Sequence, residues 1–184
     1  MRLSTLLALT LSTGSILGAT DALTQETQFP EVATAFTGVP PTLVSAETTF
    51  DSAESWFARY HFTINLPENA VESLGKVTIQ QQGGLENIVF ELQQTSAFEG
   101  TPKNQGKQLT LKDVTEDQQT RTISITLAPP VPPGTTFTVS LKPRRNPRWG
   151  GVYQFRVTAF PPGENTSGLD LGVGRLTFVD QSGF

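Results

Sequence analysis

The residue types that commonly perform catalysis are sparse in this sequence and form no recognisable motif. His61 is the only histidine, and the chain has no cysteine. A zinc site needs three or four ligands, and a Ser-His-Asp triad needs an oriented nucleophile. Neither a G-x-S-x-G nor an H-E-x-x-H pattern occurs. We therefore interpret His61 as a strand residue on the solvent side, between inward-facing Tyr60 and Phe62, and predict no catalytic residue, metal ligand or cofactor.

The acidic residues are scattered along the chain rather than paired. Glycoside hydrolysis needs two carboxylates at a suitable separation, and no two stand at the ends of adjacent predicted strands among aromatic residues. A carbohydrate-active hydrolase that uses two of these carboxylates, or His61 with one of them, remains an alternative function. A periplasmic metal-handling protein is a second alternative.

A basic loop is the sharpest local feature. Lys142, Arg144, Arg145 and Arg148 place four positive charges within seven residues, and Trp149 follows them. Arginine beside an aromatic residue suits carboxylates, anionic glycans, phosphate groups or the acidic patch of a protein partner. These five residues are our candidate partner-binding loop. The alternative is an exposed hairpin loop whose charges keep a sheet edge soluble, with Trp149 covering the core.

The composition limits the class of protein. The 184 residues are 16% charged and 36% hydrophobic, with a formal net charge of −4. This balance argues against a general nucleic-acid binder and against a bundle of membrane helices. The 16 glycines and 13 prolines, together with many β-forming residues, favour an all-β domain with many turns.

The N-terminal residues have the pattern of a secretory signal peptide. Arg2 precedes an uncharged, Leu- and Ala-rich run at 3–18, and small residues follow at 19–22. We predict a signal peptide at 1–22, cleaved after Ala22 or alternatively after Ala19, and export of the mature chain. An uncleaved N-terminal anchor is the other interpretation. Residues 23–38 are predicted as a flexible lead-in and 39–180 as the folded domain.

Strict alternation of apolar and polar residues predicts about eight strands. The clearest runs are 59–66, 122–127, 136–141 and 153–160, with a Pro-rich turn at 129–134. Weaker signals predict an edge strand at 39–44, strands at 76–82, 88–92, 109–111 and 173–179, and a long loop at 95–107. The pattern is typical of a single antiparallel immunoglobulin-like β-sandwich.

Several of these segments, taken together, resemble a known family. They are Tyr60-His61-Phe62-Thr63-Ile64, 74–81, Phe98-Glu99-Gly100, 130–135, Asn146-Pro147, 151–155, 157–161 and 171–176. Their order and spacing resemble the cyanobacterial secreted domain-of-unknown-function family 2808 over residues 29–180. The resemblance implies an exported cyanobacterial protein in the periplasm or thylakoid lumen. It implies no activity and no catalytic residue. An extracellular location is the alternative for the exported chain.

A weaker similarity connects the chain with periplasmic copper-resistance sandwiches. Their copper sites need an N-terminal histidine or paired histidines, and this chain has only His61. Altogether we predict an exported, non-catalytic β-sandwich that acts as a binding or structural module of the cell envelope or lumen. The expected partner is an envelope or lumenal protein, or an anionic ligand. We expect no nucleic acid, no cofactor and no transmembrane segment in the mature chain.

Overall fold

The computed structural model describes residues 34–180, so the predicted signal peptide and most of the lead-in lie outside the described residues. The described part contains ten strands. They are β1 (Thr42–Thr48), β2 (Tyr60–Leu66), β3 (Leu74–Gly83), β4 (Ser96–Thr101), β5 (Asn104–Leu109), β6 (Leu111–Asp117), β7 (Thr122–Val131), β8 (Thr135–Leu141), β9 (Gly151–Phe160) and β10 (Leu169–Phe178). The only helical element within residues 34–180 is a 3₁₀ turn at Leu92–Gln94.

The strands form two antiparallel sheets of five strands each. The front sheet has the order β1-β2-β8-β4-β5, and the back sheet has the order β10-β9-β3-β7-β6. The chain crosses between the sheets five times, after β2, β3, β5, β7 and β8, so neighbouring strands are often distant in sequence. The prediction of a single antiparallel immunoglobulin-like β-sandwich is confirmed, with ten strands instead of about eight.

Aromatic side chains from both sheets meet in the core. Phe62 of β2 lies with its ring centroid 5.7 Å from that of Phe155 on β9, in an edge-to-face arrangement. Tyr60 and Tyr153 both contact Phe178, at 5.5 and 5.4 Å. Such pairs add about 0.5–1.5 kcal/mol each beyond the burial of their apolar area. The alternating residues of β2, β9 and β10 therefore join the two sheets, as period-two strands should.

The prediction was wrong for the segment between β3 and β6. Residues 88–92 are not a strand, although Phe90 forms an isolated bridge with Pro143. Ile88 and Phe90 are buried, so their spacing reflects a loop that packs on the core. The predicted loop at 95–107 instead holds β4 and most of β5. The exposed sequence of β5 is that of an edge strand, which carries no apolar alternation.

His61 is buried, contrary to the prediction that it faces solvent. Only 5% of its surface is exposed, and its ring centroid lies 6.3 Å from that of Phe98 on β4. Its Nδ1 has no hydrogen-bond partner within the described residues. Burial lowers the pKa of His61; nearby Glu47 opposes this effect and Arg59 adds to it. Phe98 was assigned to a loop from the sequence, so the ring that packs beside His61 was not anticipated.

Candidate functional site

Strand register brings three connecting segments to one end of the sandwich. Tyr60 pairs with Leu141, and Phe178 pairs with Gly151. Gly83 at the end of β3 pairs with Gln154 near the start of β9. The connections at 50–58, 84–90 and 142–150 therefore leave the sheets together, and we call this region the loop end. It contains the whole predicted partner-binding loop.

Asn146 anchors the loop end from inside. It is 1% exposed, and its Nδ2 donates to the backbone oxygens of Phe50 and Ser52, each at 2.8 Å. Its Oδ1 accepts a hydrogen bond from the Tyr60 hydroxyl at 2.9 Å. Burial raises the pKa of Tyr60, so this hydroxyl remains a donor. A single amide thus holds residues 50–52, the basic loop and the core together.

The four cations of the basic loop differ in their contacts. Lys142 Nζ donates to the backbone oxygens of Trp56 and, at 3.4 Å, Ala58. Glu54 Oε1 lies 3.1 Å from Arg145 Nη1 and 3.6 Å from Arg148 Nε. Exposed ion pairs of this kind contribute about 0–1 kcal/mol.

Arg144 is the exception among these cations. Its side chain is exposed and has no ion pair or hydrogen bond with any other residue in the range 34–180, while its backbone N–H donates to Val89 O at 2.8 Å. Its position is therefore fixed through the backbone, and its guanidinium is available to a partner.

Carboxylates offset the positive charge of the basic loop. Glu86 Oε1 accepts the backbone N–H groups of Arg148 and, at 3.4 Å, Trp149, and Asp180 accepts that of Gly150. Asp51 and Glu54 add two more carboxylates, so that, with Asp180 just after β10 included, four carboxylates lie beside the four cations of the loop end. The loop end is therefore not a strongly basic surface, although the sequence alone indicated a cluster of positive charge there.

An apolar rim surrounds the basic loop, and the sequence analysis missed it. The four exposed aromatic side chains of residues 34–180 all lie at the loop end, together with two exposed aliphatic ones. Their exposed fractions are Phe50 51%, Trp56 61%, Phe57 78%, Leu85 75%, Val89 50% and Trp149 56%. One signal could have revealed part of this rim. Trp56 and Phe57 are adjacent in a polar segment before β2, and neighbouring residues of an extended chain cannot both face the core.

A glycine permits the packing that fixes Trp149. Gly84 has φ +127°, and a Cβ at this position would lie 2.1 Å from the ring of Tyr153. With that ring seated over Gly84, the Tyr153 hydroxyl donates to Trp149 O at 3.1 Å. The rim is therefore presented by a backbone that is fixed by core residues.

A cavity of about 270 Å³ beside the back sheet bears on the alternative function of a hydrolase, and it is lined by residues of that sheet and by residues 87–90. Glu116 of β6 faces it from beside Ile123 and is the only carboxylate among its lining residues. Arg121 also lines the cavity, and its Nη1 donates to Asn87 Oδ1 at 2.9 Å. His61 does not line this cavity. The cavity thus offers one carboxylate and hydrogen-bonding groups, whereas glycoside hydrolysis in most families uses a pair of carboxylates.

Residues 34–180 contain no group of three or more His, Cys, Asp or Glu side chains that could hold a metal ion. The same part of the chain has no helix with the length and apolar character that a membrane span requires.

Fold and site together define an all-β sandwich that presents an aromatic, internally hydrogen-bonded loop end. The chain belongs to the family described as Protein of unknown function (DUF2808), which matches residues 33–178. The predicted family is therefore confirmed, and its cyanobacterial origin stays a prediction. No curated protein matches the chain.

Several solved structures are similar in fold. The collagen adhesin CNA from S. aureus has 12% sequence identity and a TM-score of 0.47, with 77% of this chain and 50% of that chain covered. ACE19, the collagen-binding subdomain of the Enterococcus faecalis surface protein ACE, has 8% identity and a TM-score of 0.41, with 77% and 99% covered. The bacterial hydrophobin BslA has 19% identity and a TM-score of 0.39, with 77% and 100% covered. This chain thus spans half the length of the first of these structures.

Proposed function

We propose that this protein is an exported, non-catalytic binding module of the cell envelope or lumen, and that its partner contacts the loop end. The observation that carries the proposal is the apolar rim around Arg144, in which every exposed aromatic side chain of residues 34–180 is found. Tryptophan and arginine are the residue types that most often dominate binding energy at interfaces. Contiguous exposed apolar patches commonly mark interaction sites.

The rigidity of the loop end also supports a binding role. The backbone around the rim is held by Asn146, Lys142 and Tyr153, so little conformational entropy would be lost on binding. Of the five predicted loop residues, Arg144, Arg148 and Trp149 are exposed, and the side chains of Arg144 and Trp149 are those without an ion pair. Lys142, Arg145 and Arg148 support the loop through their contacts with residues 54–58.

Export is supported by the pattern of residues 1–22, and the periplasm or thylakoid lumen is supported by the family resemblance. The signal-peptide pattern of residues 1–22 supports an extracellular location equally. The partner classes that suit the basic loop are an envelope or lumenal protein and an anionic ligand.

A pull-down from an envelope fraction tests the proposal. The variant Arg144→Glu with Trp149→Ala changes the two exposed loop side chains that form no ion pair and leaves the Arg145–Glu54 ion pair intact. We expect this variant to lose retention of the partner that the wild-type protein retains. Arg175→Glu is the matched control, because Arg175 is an exposed arginine on β10 of the back sheet. Equal retention by the loop variant, with unchanged thermal unfolding, would refute a binding role for the loop end.

A further inference from the structure

We propose that the loop end docks on the interface of a phospholipid bilayer, into which the apolar rim inserts while Arg144 contacts headgroup phosphates. This inference rests on the proposed binding role of the loop end and names its partner. Three features of the loop end support it: the residues of the rim, the hydrogen bonds of the rim's backbone and the arrangement of the charges.

The rim has the residue types that partition into a membrane interface. Tryptophan is enriched at the level of the headgroups, and Phe and Leu bury their apolar surface at the boundary with the acyl chains. Trp56, Phe57, Leu85 and Trp149 come from three separate connections at one end of the sandwich. They are exposed together at the loop end, so they can enter a planar interface together.

Backbone polar groups of the rim residues form hydrogen bonds with side chains of the protein, so they do not depend on water alone. An unpaired polar group is costly in an apolar environment. The oxygens of Phe50 and Trp56 accept hydrogen bonds from Asn146 and Lys142. The N–H of Phe57 donates to Ser55 Oγ at 3.4 Å.

The backbone of Trp149 is paired on both sides. Its N–H donates to Glu86 Oε1 at 3.4 Å, and its oxygen accepts from the Tyr153 hydroxyl at 3.1 Å. Each of the four aromatic residues thus has a backbone polar group engaged by a side chain of the protein itself. Such pairing lowers the cost of moving the loop end out of water.

The charges favour lipid phosphate over an acidic protein surface. The four carboxylates at the loop end offset its four cations, so long-range attraction to an acidic partner is weak. Among the arginines of the loop end, Arg144 alone has a guanidinium without an ion pair or hydrogen bond to residues 34–180, and its planar fork matches a phosphate group. All phospholipids carry that phosphate. Docking should therefore depend little on the net charge of the bilayer or on ionic strength.

The chain carries its own reporter for this docking. It has two tryptophans, Trp56 and Trp149, and both belong to the rim. Residues 1–22 contain an apolar run but no tryptophan, so intrinsic fluorescence reports on the loop end and not on the N-terminal segment. The full chain is titrated with vesicles of phosphatidylcholine alone and with vesicles of phosphatidylcholine and phosphatidylglycerol in equal parts.

With both kinds of vesicle we expect the tryptophan emission to shift to shorter wavelength and to be quenched by lipids brominated in their acyl chains. Phe57→Ser with Leu85→Ser keeps both reporters and should weaken partitioning roughly tenfold or more, because two large apolar side chains are lost from the buried surface. Val71→Ser is the control, since Val71 is a 68% exposed apolar residue at the opposite end of the sandwich, and it should leave partitioning unchanged.

Three outcomes would overturn the inference. One is the absence of any spectral shift or quenching with either vesicle. A second is binding to the anionic vesicles alone that high salt abolishes, because this would indicate simple electrostatic adsorption. The third is equal partitioning of the wild-type and the Phe57→Ser, Leu85→Ser chains. If one of these occurs while the pull-down still depends on Arg144 and Trp149, the loop end binds a protein and the proposed function stands without the membrane.

Discussion

The two ends of the sandwich are built differently. At the end opposite the loop end, which we call the turn end, the connections at 67–73, 132–134 and 161–168 are rich in Pro and Gly. They are joined by backbone hydrogen bonds, such as that from the Gly134 N–H to Leu66 O at 2.9 Å, and by exposed side-chain contacts such as that between Thr37 and Glu72. At the loop end, a buried side chain joins segments 94 and 96 residues apart in sequence.

The exposed surface differs in the same way. The turn end exposes valines such as Val71 but no aromatic residue within the described part of the chain, whereas the loop end exposes four. A buried polar anchor and exposed aromatic side chains therefore occur together at the loop end. A site that must hold its side chains in place before binding needs both features.

The largest effect should come from removing the buried anchor of the loop end. Asn146→Ala deletes three hydrogen bonds and leaves the Phe50 and Ser52 oxygens and the Tyr60 hydroxyl without that partner. We expect a loss of about 3 kcal/mol or more in the free energy of unfolding. Urea denaturation monitored by tryptophan fluorescence measures it.

The matched variant at the turn end is Thr37→Ala, which removes an exposed hydroxyl contact with Glu72. It should change the free energy of unfolding by about 0.5 kcal/mol or less. Similar losses for Asn146→Ala and Thr37→Ala would show that the two ends are not supported differently.

Substitutions at two glycines, one at each end of the sandwich, test the comparison between the two ends. Gly84→Ala introduces a Cβ 2.1 Å from the Tyr153 ring at φ +127°, whereas Gly134→Ala at φ +79° meets nothing nearer than 3.7 Å. Backbone strain costs both variants about 1–2 kcal/mol, and overpacking adds about 1–3 kcal/mol at Gly84 alone. We expect Gly84→Ala to be the less stable variant by thermal and urea unfolding. The reverse order would mean that Tyr153 moves aside freely and does not fix Trp149.

The fold was largely predictable from the sequence because its central strands are half-buried. Period-two alternation identified β2, β7, β8 and β9, in which one face packs on the core. The β4–β5 hairpin was missed because β5 is an exposed edge strand without such alternation. Residues 88–92 were misassigned because a loop that packs on a core can show the spacing of a strand.

The site was predictable only where it is contiguous in sequence. The basic loop was visible as a cluster of charges, but its neutralisation by Glu54 and Glu86 depends on which connections share an end of the sandwich. The rim combines Trp56 and Phe57 with Leu85 and Trp149, and strand register alone brings them together. Composition and periodicity carry no information on that register for segments so far apart.

The two ends should also lose stability in different pH ranges. Burial lowers the pKa of His61, in the half of the front sheet nearer the loop end, from 6.5. Just below pH 6.5, His61 therefore binds a proton more readily in the unfolded chain than in the folded protein. The contribution of neutral His61 to the free energy of unfolding is fully present above pH 6.5. It decreases as the pH falls from 6.5 towards the folded-state pKa.

The carboxyl group at the turn end responds at lower pH. Hydrogen bonds from the Thr37 hydroxyl and backbone N–H hold the pKa of Glu72 below its ordinary value of 4.5. Its contribution is therefore present above pH 4.5 and is lost as the pH falls through the folded-state pKa. Because Glu72 is exposed, this is the smallest of the expected effects.

The free energy of unfolding as a function of pH separates the two groups. His61→Gln should remove the component of the slope that begins at pH 6.5 and leave the component below pH 4.5 in place. Thr37→Val should do the reverse, because it removes the hydroxyl that stabilises the Glu72 carboxylate. If the slope below pH 6.5 survives in His61→Gln, the burial of His61 beside Phe98 does not control acid sensitivity, and another group near the loop end must titrate there.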